Sequence, residues 1–206
     1  MDGVCGGWRQ ATLPLNPPDF RIRDPHVWWC GRGGVAKLAL SGFGCFGQRK
    51  GCEMPKSLSE HFTLEELILS QTAARKGIDN TPSATIVQKL RQLAGVLEEV
   101  RSLLGGAPIL VSSGYRCLEL NEAVGGAKHS AHMDGLAADF TAPAFGTVIQ
   151  AARKIAASDL AYDQLIQEYG AWVHIGLAKD GVEPRRQELS IFKGTGYLNG
   201  IVGKPS

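Results

Sequence analysis

The chain changes character at Met54, and that change confines any fold to the residues beyond it. Residues 1–53 hold 10 of the 26 glycines, 4 of the 10 prolines, 4 of the 5 cysteines and 3 of the 4 tryptophans. Neither a period of 3.6 nor a period of 2 survives the glycine punctuation at 31–34 and 42–47. A stretch without apolar period has no face to bury. Residues 1–53 are therefore expected to be an unstructured extension, or sequence upstream of a natural start at Met54, with the folded domain at 54–206. The cysteines in this stretch are separated by 25, 15 and 7 residues, spacings that match no metal finger.

Composition excludes several function classes. Basic and acidic residues number 22 and 20, a net charge of +2, which leaves no broad cationic surface for nucleic acid. No uninterrupted apolar run approaches the roughly 18–20 residues that cross a bilayer. Met1 to Leu15 lacks the basic start and apolar core of a signal peptide. Five cysteines at irregular positions form no disulfide framework. Synthesis in the cytoplasm, as a monomer without a transmembrane segment, is the expectation.

After Met54 the punctuation becomes orderly. Thr63 and Glu66 have the spacing of a capping box, which predicts a helix from Leu64 to Arg75 ended by Gly77. Ile86, Leu90, Leu93, Leu97, Val100 and Leu104 recur at steps of four and three, one stripe on a helix opened by Thr81-Pro82-Ser83 and closed by Gly105-Gly106. Strands are expected at 109–112, 137–140, 164–168 and 172–177, with a further helix between Phe145 and Ala157. Helices first and short strands later, with little room for repeated βαβ crossovers, predict an α+β fold whose N-terminal helices pack on a small, mainly antiparallel sheet.

Three of the five histidines, His129, His132 and His174, lie in the strand-rich half. The stretch from Ser130 to Asp139 places an imidazole, a glycine turn and a carboxylate in sequence. Gly135 lets the backbone turn, and Ala137 and Ala138 leave space, so His132 and Asp139 can reach one ion. A catalytic zinc takes three protein ligands and keeps a position open for water, and His174 is the candidate third. A His and an Asp seven apart also occur by chance, so the residues alone leave a metal site and an incidental pair both open.

Several ordered motifs narrow the choice. Ser112-Ser113-Gly114-Tyr115-Arg116, Leu120-Asn121, Val124-Gly125-Gly126, the spaced Ser130, His132, Gly135, Ala137 and Asp139, and Trp172-Val173-His174 together resemble the zinc murein peptidases. That family contains D-Ala-D-Ala carboxypeptidases and phage L-alanyl-D-glutamate endopeptidases. Residues 58–67 and 75–81 are similar to the lead-in of its phage and prophage members. The resemblance implies Zn2+ held by His132, Asp139 and His174, a general base on or near the last hairpin, and Arg116 as a substrate-facing cation. It also implies a peptidoglycan stem peptide as substrate, with action on the cell wall after lysis or as part of a phage particle.

The position of the base departs from the family pattern. Family members carry an acidic residue three positions before the last histidine, where this chain has Ala171. If Tyr169-Gly170-Ala171 is a three-residue hairpin loop, 168 faces 172 and 166 faces 174, so Glu168, Trp172 and His174 share one face of the sheet. Glu168 is thus the expected base, Asp163 the weaker alternative, and a surface hairpin carboxylate the bland reading. Arg116 can grip a peptide carboxylate or a developing oxyanion in a two-pronged contact, or be a structural ion pair. His129 reads as a loop or substrate-edge residue, His61 as structural, and Cys117 as no ligand. Ser130 either orients a ligand or caps a turn. The chain reads as a zinc metallopeptidase of stem peptides, carboxypeptidase or endopeptidase. The rival is a non-catalytic peptidoglycan-binding or phage-tail domain of the same fold, which the loss of an acid at 171 favours.

Overall fold

The computed structural model describes residues 57–205, so the expected extension at 1–53 lies outside the described residues. Within them the order is α1 (Leu64–Ile68), α2 (Gln71–Lys76), α3 (Ala84–Leu103), β1 (Leu110–Ser113), α4 (Leu118–Ala123), a 3-10 turn (Ala131–Asp134), β2 (Ala137–Thr141), α5 (Val148–Ala156), β3 (Gln164–Glu168), β4 (Trp172–Gly176), β5 (Gln187–Ile191) and β6 (Leu198–Asn199). The class is α+β. None of the described helices is long and apolar enough to cross a membrane.

The single helix expected from Leu64 to Arg75 is two helices. The Thr63 hydroxyl caps α1 by accepting from Glu66 N, but Leu69 turns extended at ψ 129° and Ser70 restarts the helix by accepting from Ala73 N. A serine hydroxyl that satisfies a backbone donor locally competes with helix continuation, and propensity alone does not reveal which will prevail. The break frees the carbonyls at the end of α1. Leu67 O accepts from Tyr115 N at 2.7 Å. Ile68 O accepts from Asn80 Nδ2 at 2.8 Å, and the same amide also donates to Tyr115 O at 3.0 Å. Asn80 Oδ1 in turn accepts from Cys117 N at 2.8 Å. One side chain thereby ties α1 to the segment that leaves β1.

The long stripe behaves as its period predicts. Ser83 caps α3 through Ile86 N, and Leu90, Leu93, Leu97 and Val100 are fully buried in a cluster that also contains Phe140, Leu165, Val173 and Ile175 from the sheet. Burying a leucine of this kind stabilises by roughly 1.5–3 kcal/mol relative to exposure. Thr147 and Gln150 form a reciprocal capping box at the start of α5, which presents Ala151, Ala152 and Ile155 to the same core.

The six strands run β1-β2-β4-β3-β5-β6. The sheet is mixed: β3 and β5 pair in parallel, whereas the other neighbours are antiparallel. The sequence reading places no strand at β5, where polar and apolar residues alternate but the polar Ser190 is fully buried. Tertiary partners explain that serine. Its hydroxyl donates to Gly200 O at 2.8 Å and accepts from Val202 N at 2.9 Å, so the chain around β6 supplies the hydrogen bonds that water would otherwise make.

Asn80→Ala removes three contacts at once and leaves partly buried backbone groups without partners. A loss of about 1–3 kcal/mol is expected, read as a lower midpoint in chemical denaturation; an unchanged midpoint would show that the α1–β1 junction holds without it.

Candidate metal centre

Four segments, the end of β1, the 3-10 turn, β2 and β4, meet around the middle of the central strands. β2 and β4 pair with Asp139 opposite His174, and β1 and β2 pair with Ser113 opposite Asp139. His132 enters from the 3-10 turn, which Gly135 ends in a left-handed conformation at φ 70°. A side chain at 135 would be strained by that φ and would also press on Ile86, since a Cβ built there lies 3.0 Å from Ile86 Cγ2. The turn expected of Gly135 is therefore present, and it aims His132 into the protein.

Ring orientation follows from hydrogen bonding. Gly114 O lies 2.6 Å from His132 Nδ1, so that nitrogen carries the proton and Nε2 keeps its lone pair in the neutral ring. Gly114 is itself confined: a Cβ there would fall 2.2 Å from Leu67 O, the carbonyl that holds Tyr115 N. His132 Nε2, His174 Nδ1 and Asp139 Oδ1 then face one another. The separations are 2.7 Å between Nδ1 and Oδ1, 3.3 Å between the two ring nitrogens, and 3.3 Å between Nε2 and Oδ1. These three residues form a group whose ligand atoms all lie within 4.8 Å, with His132 and Asp139 buried.

One cation placed among these three ligand atoms would engage all of them at once. Two imidazoles and one carboxylate are a donor set suited to zinc. Burial holds the His132 ring below the usual imidazole pKa despite the pull of Asp139 in the other direction, which favours the neutral, ligating form. For Asp139, burial pushes the carboxyl up, but the adjoining His132 and His174 side chains outweigh it and hold the group well below the usual carboxylate range.

Arg116 occupies the other side of that carboxylate. Its Nη2 donates to Asp139 Oδ2 at 2.8 Å and its Nε to Ser113 Oγ at 2.9 Å. The two oxygens of Asp139 are thereby divided, Oδ1 toward the imidazoles and Oδ2 toward the guanidinium. This is the ion-pair geometry that the sequence left open for Arg116.

The hairpin takes the register expected of it, with Ile166 opposite His174 and Glu168 opposite Trp172. Glu168 therefore stands on the face of His174, two residues farther along the strands, about 7 Å at the usual rise. Burial raises its pKa, and the negative charge of Asp139 adds to this; His174, Trp172 and Arg116 act in the opposite direction without cancelling the shift. Asp163, the alternative base, is engaged elsewhere, with both of its oxygens on the Arg185 guanidinium.

Other residues fall where their chemistry allows. His129 is exposed on the loop before the 3-10 turn. His61 is tied to Glu98 of α3 at 2.9 Å, a structural contact. Ser130 precedes the 3-10 turn but makes no side-chain cap bond. Cys117 caps α4 through its sulfur instead of joining the cluster. Sequence reasoning did not identify Asn80 or the Gly114 carbonyl as supports of the site; the only signal was that both sit inside the motifs that carry the resemblance.

Comparison with known proteins agrees with this geometry. Among curated proteins none matches the chain. A family model of Peptidase M15 matches residues 60–176. That match spans more than half of the chain and takes in the His132, Asp139 and His174 cluster, and so the chain belongs to the peptidase M15 family of metallopeptidases.

Proposed function

We propose that this chain is a zinc-dependent peptidase that hydrolyses a peptide bond in the stem peptides of bacterial peptidoglycan. His132, Asp139 and His174 would hold the ion. The observation that carries the reading is the convergence of these three ligand atoms with Glu168 beside them on the same sheet face. Zinc, when bound, supplies a Lewis acid that polarises the scissile carbonyl and acidifies water near neutral pH.

The chain's own groups supply the rest. Glu168 takes the proton of the attacking water and returns it to the leaving amine. A carboxyl with a raised pKa suits both halves of that transfer, because it retains a proton better than an ordinary glutamate. Arg116 keeps Asp139 turned so that Oδ1 faces the imidazoles, and its guanidinium lies close enough to the centre to attract a peptide carboxylate or a developing oxyanion. Ala171, at the end of the hairpin loop, cannot act as an acid. Its place in the chemistry is taken from across the hairpin. Delivery to the wall after lysis, or within a phage particle, accords with the phage-like motifs at 58–67 and 75–81.

His132→Ala, Asp139→Ala and His174→Ala should each lose zinc, because two protein ligands bind it far more weakly than three. Cys117→Ser should retain it. Metal analysis after dialysis decides, and full zinc in all three alanine variants would end the assignment.

Glu168→Gln keeps size but cannot take a proton. It is expected to keep its zinc while cleavage of purified peptidoglycan falls by roughly 100- to 10,000-fold, the usual range for a general base. Asp163→Asn should lower it far less. Mass spectrometry of the new termini, with a chelated control, identifies the bond. Zinc binding without any cleavage by the unaltered protein would instead support a non-catalytic wall-binding domain.

We also place the activity wholly after Met54. A chain beginning there should hold zinc and melt at the same temperature as the full chain; a large drop in melting temperature would assign residues 1–53 a share in the fold.

A further inference from the structure

Three aromatic residues gather around Glu168 at the hairpin end of the sheet. Trp172 is its cross-strand partner. Tyr169 is next to it in the hairpin loop, with its ring centroid 5.7 Å from that of Trp172 at an interplanar angle of 58°. Tyr197 comes from the segment just before β6: Ile191 pairs with Glu168 and Ser190 with Leu198, so the register brings Tyr197 level with Glu168 across β5. Tyr169 is 48% exposed and Tyr197 61%. Neither ring is consumed by the core.

The backbone holds these rings in place at some conformational expense. Tyr169 has φ 57°, a left-handed conformation that suits Gly or Asn far better than an aromatic residue. It is fixed there from several directions. Ala171 N donates to Glu168 O at 2.8 Å, and Tyr169 N donates to Ile191 O at 2.8 Å on β5. Gly170 N donates to Oε1 of the buried Gln167 at 2.6 Å. Tyr197 is held in a similar way. The Phe192–Thr195 turn precedes it, closed by Phe192 N on Thr195 Oγ1, and the pairing of Leu198 with Ser190 comes directly after it. Tyr197 also lies beyond residues 60–176, the part of the chain that the family model covers.

Half-open rings tilted against one another do not make a closed pocket for an aliphatic side chain. They offer apolar faces with phenolic hydroxyls at the edge, a surface that suits a partner with C–H groups on its face and hydroxyls around its rim. A pyranose ring has that character, and in peptidoglycan the stem peptide is attached to an amino sugar. Resting on the peptidase reading above, we propose that Tyr169 and Tyr197 are substrate-positioning residues that pack against the amino sugar joined to the stem peptide, so that the chain prefers sugar-bearing peptides to free ones.

The test uses the full-length zinc-loaded protein in two forms. In the Glu168→Gln background, calorimetry compares binding of a disaccharide-linked stem peptide with that of the same peptide without sugar. A preference of about tenfold for the sugar-bearing ligand is expected, a difference of the size that one well-placed aromatic contact can supply. Tyr197→Ala and Tyr169→Asn should each bring that ratio close to one with zinc content unchanged; asparagine tolerates the left-handed backbone, so the second variant keeps the turn. In the Glu168-containing protein the same substitutions should raise KM for the sugar-bearing substrate and leave its kcat near the starting value. Equal binding of the two ligands before substitution, or a preference that survives both substitutions, overturns the proposal. A protein that cleaves wall peptides but shows either result retains the peptidase reading and loses the aromatic contact. A protein that cleaves nothing, yet shows a sugar preference abolished by the two variants, loses the peptidase reading and retains the contact.

Discussion

The carboxylate of Asp139 is the group on which the arrangement of the site depends. It sits in the central part of the sheet, buried, with an imidazole on one oxygen and a guanidinium on the other. Removing a carboxylate from water costs several kcal/mol unless its oxygens are fully engaged. The surrounding elements are the means of engaging them. Ser113 orients Arg116, Gly114 orients His132, and the pairing of β2 with β4 brings His174 directly opposite. Two imidazoles and a carboxylate bring ring nitrogens and a carboxylate oxygen together here, and that crowding is what makes the geometry favourable to a cation.

Support for that cluster extends to residues with no chemistry of their own. The interruption between α1 and α2 matters because a continuous helix would have used the carbonyls of Leu67 and Ile68 internally. Freed, they accept from Tyr115 N and Asn80, and the Gly114–Cys117 segment is held against α1. Gly114 is confined to its residue type by the Leu67 carbonyl, and its own carbonyl sets the tautomer of His132. The helix break at Ser70 is thus linked through the backbone to the orientation of a candidate zinc ligand.

The register of the hairpin decides which side chains share the face of His174. Alternation along a strand sends Leu165, Gln167, Val173 and Ile175 to one side and Ile166, Glu168, Trp172 and His174 to the other. Under the proposed function, the acid at 168 serves in place of one at 171, three residues earlier in the chain but on the face of His174. Buried Gln167 serves the opposite face, where its amide oxygen holds the loop closed.

Much of the molecule was legible in its sequence, because short-range periodicity and local capping report directly on which faces are buried. The α3 stripe, the β3–β4 register and the placement of Glu168 on the face of His174 all came from spacing alone. The candidate metal centre was legible as a set of residue types, with the resemblance deciding among readings that spacing left open. What tertiary structure alone decided were outcomes of competition between distant groups. The α1–α2 break depends on partners at Asn80 and Tyr115, β5 depends on the chain around β6 to satisfy Ser190, and the parallel β3–β5 pairing makes the sheet mixed. Arg116 could have faced substrate or a protein carboxylate by sequence, and only folding placed Asp139 Oδ2 within 2.8 Å of it. A sequence specifies which groups need partners; the free energy of the whole packed arrangement selects the partners they get.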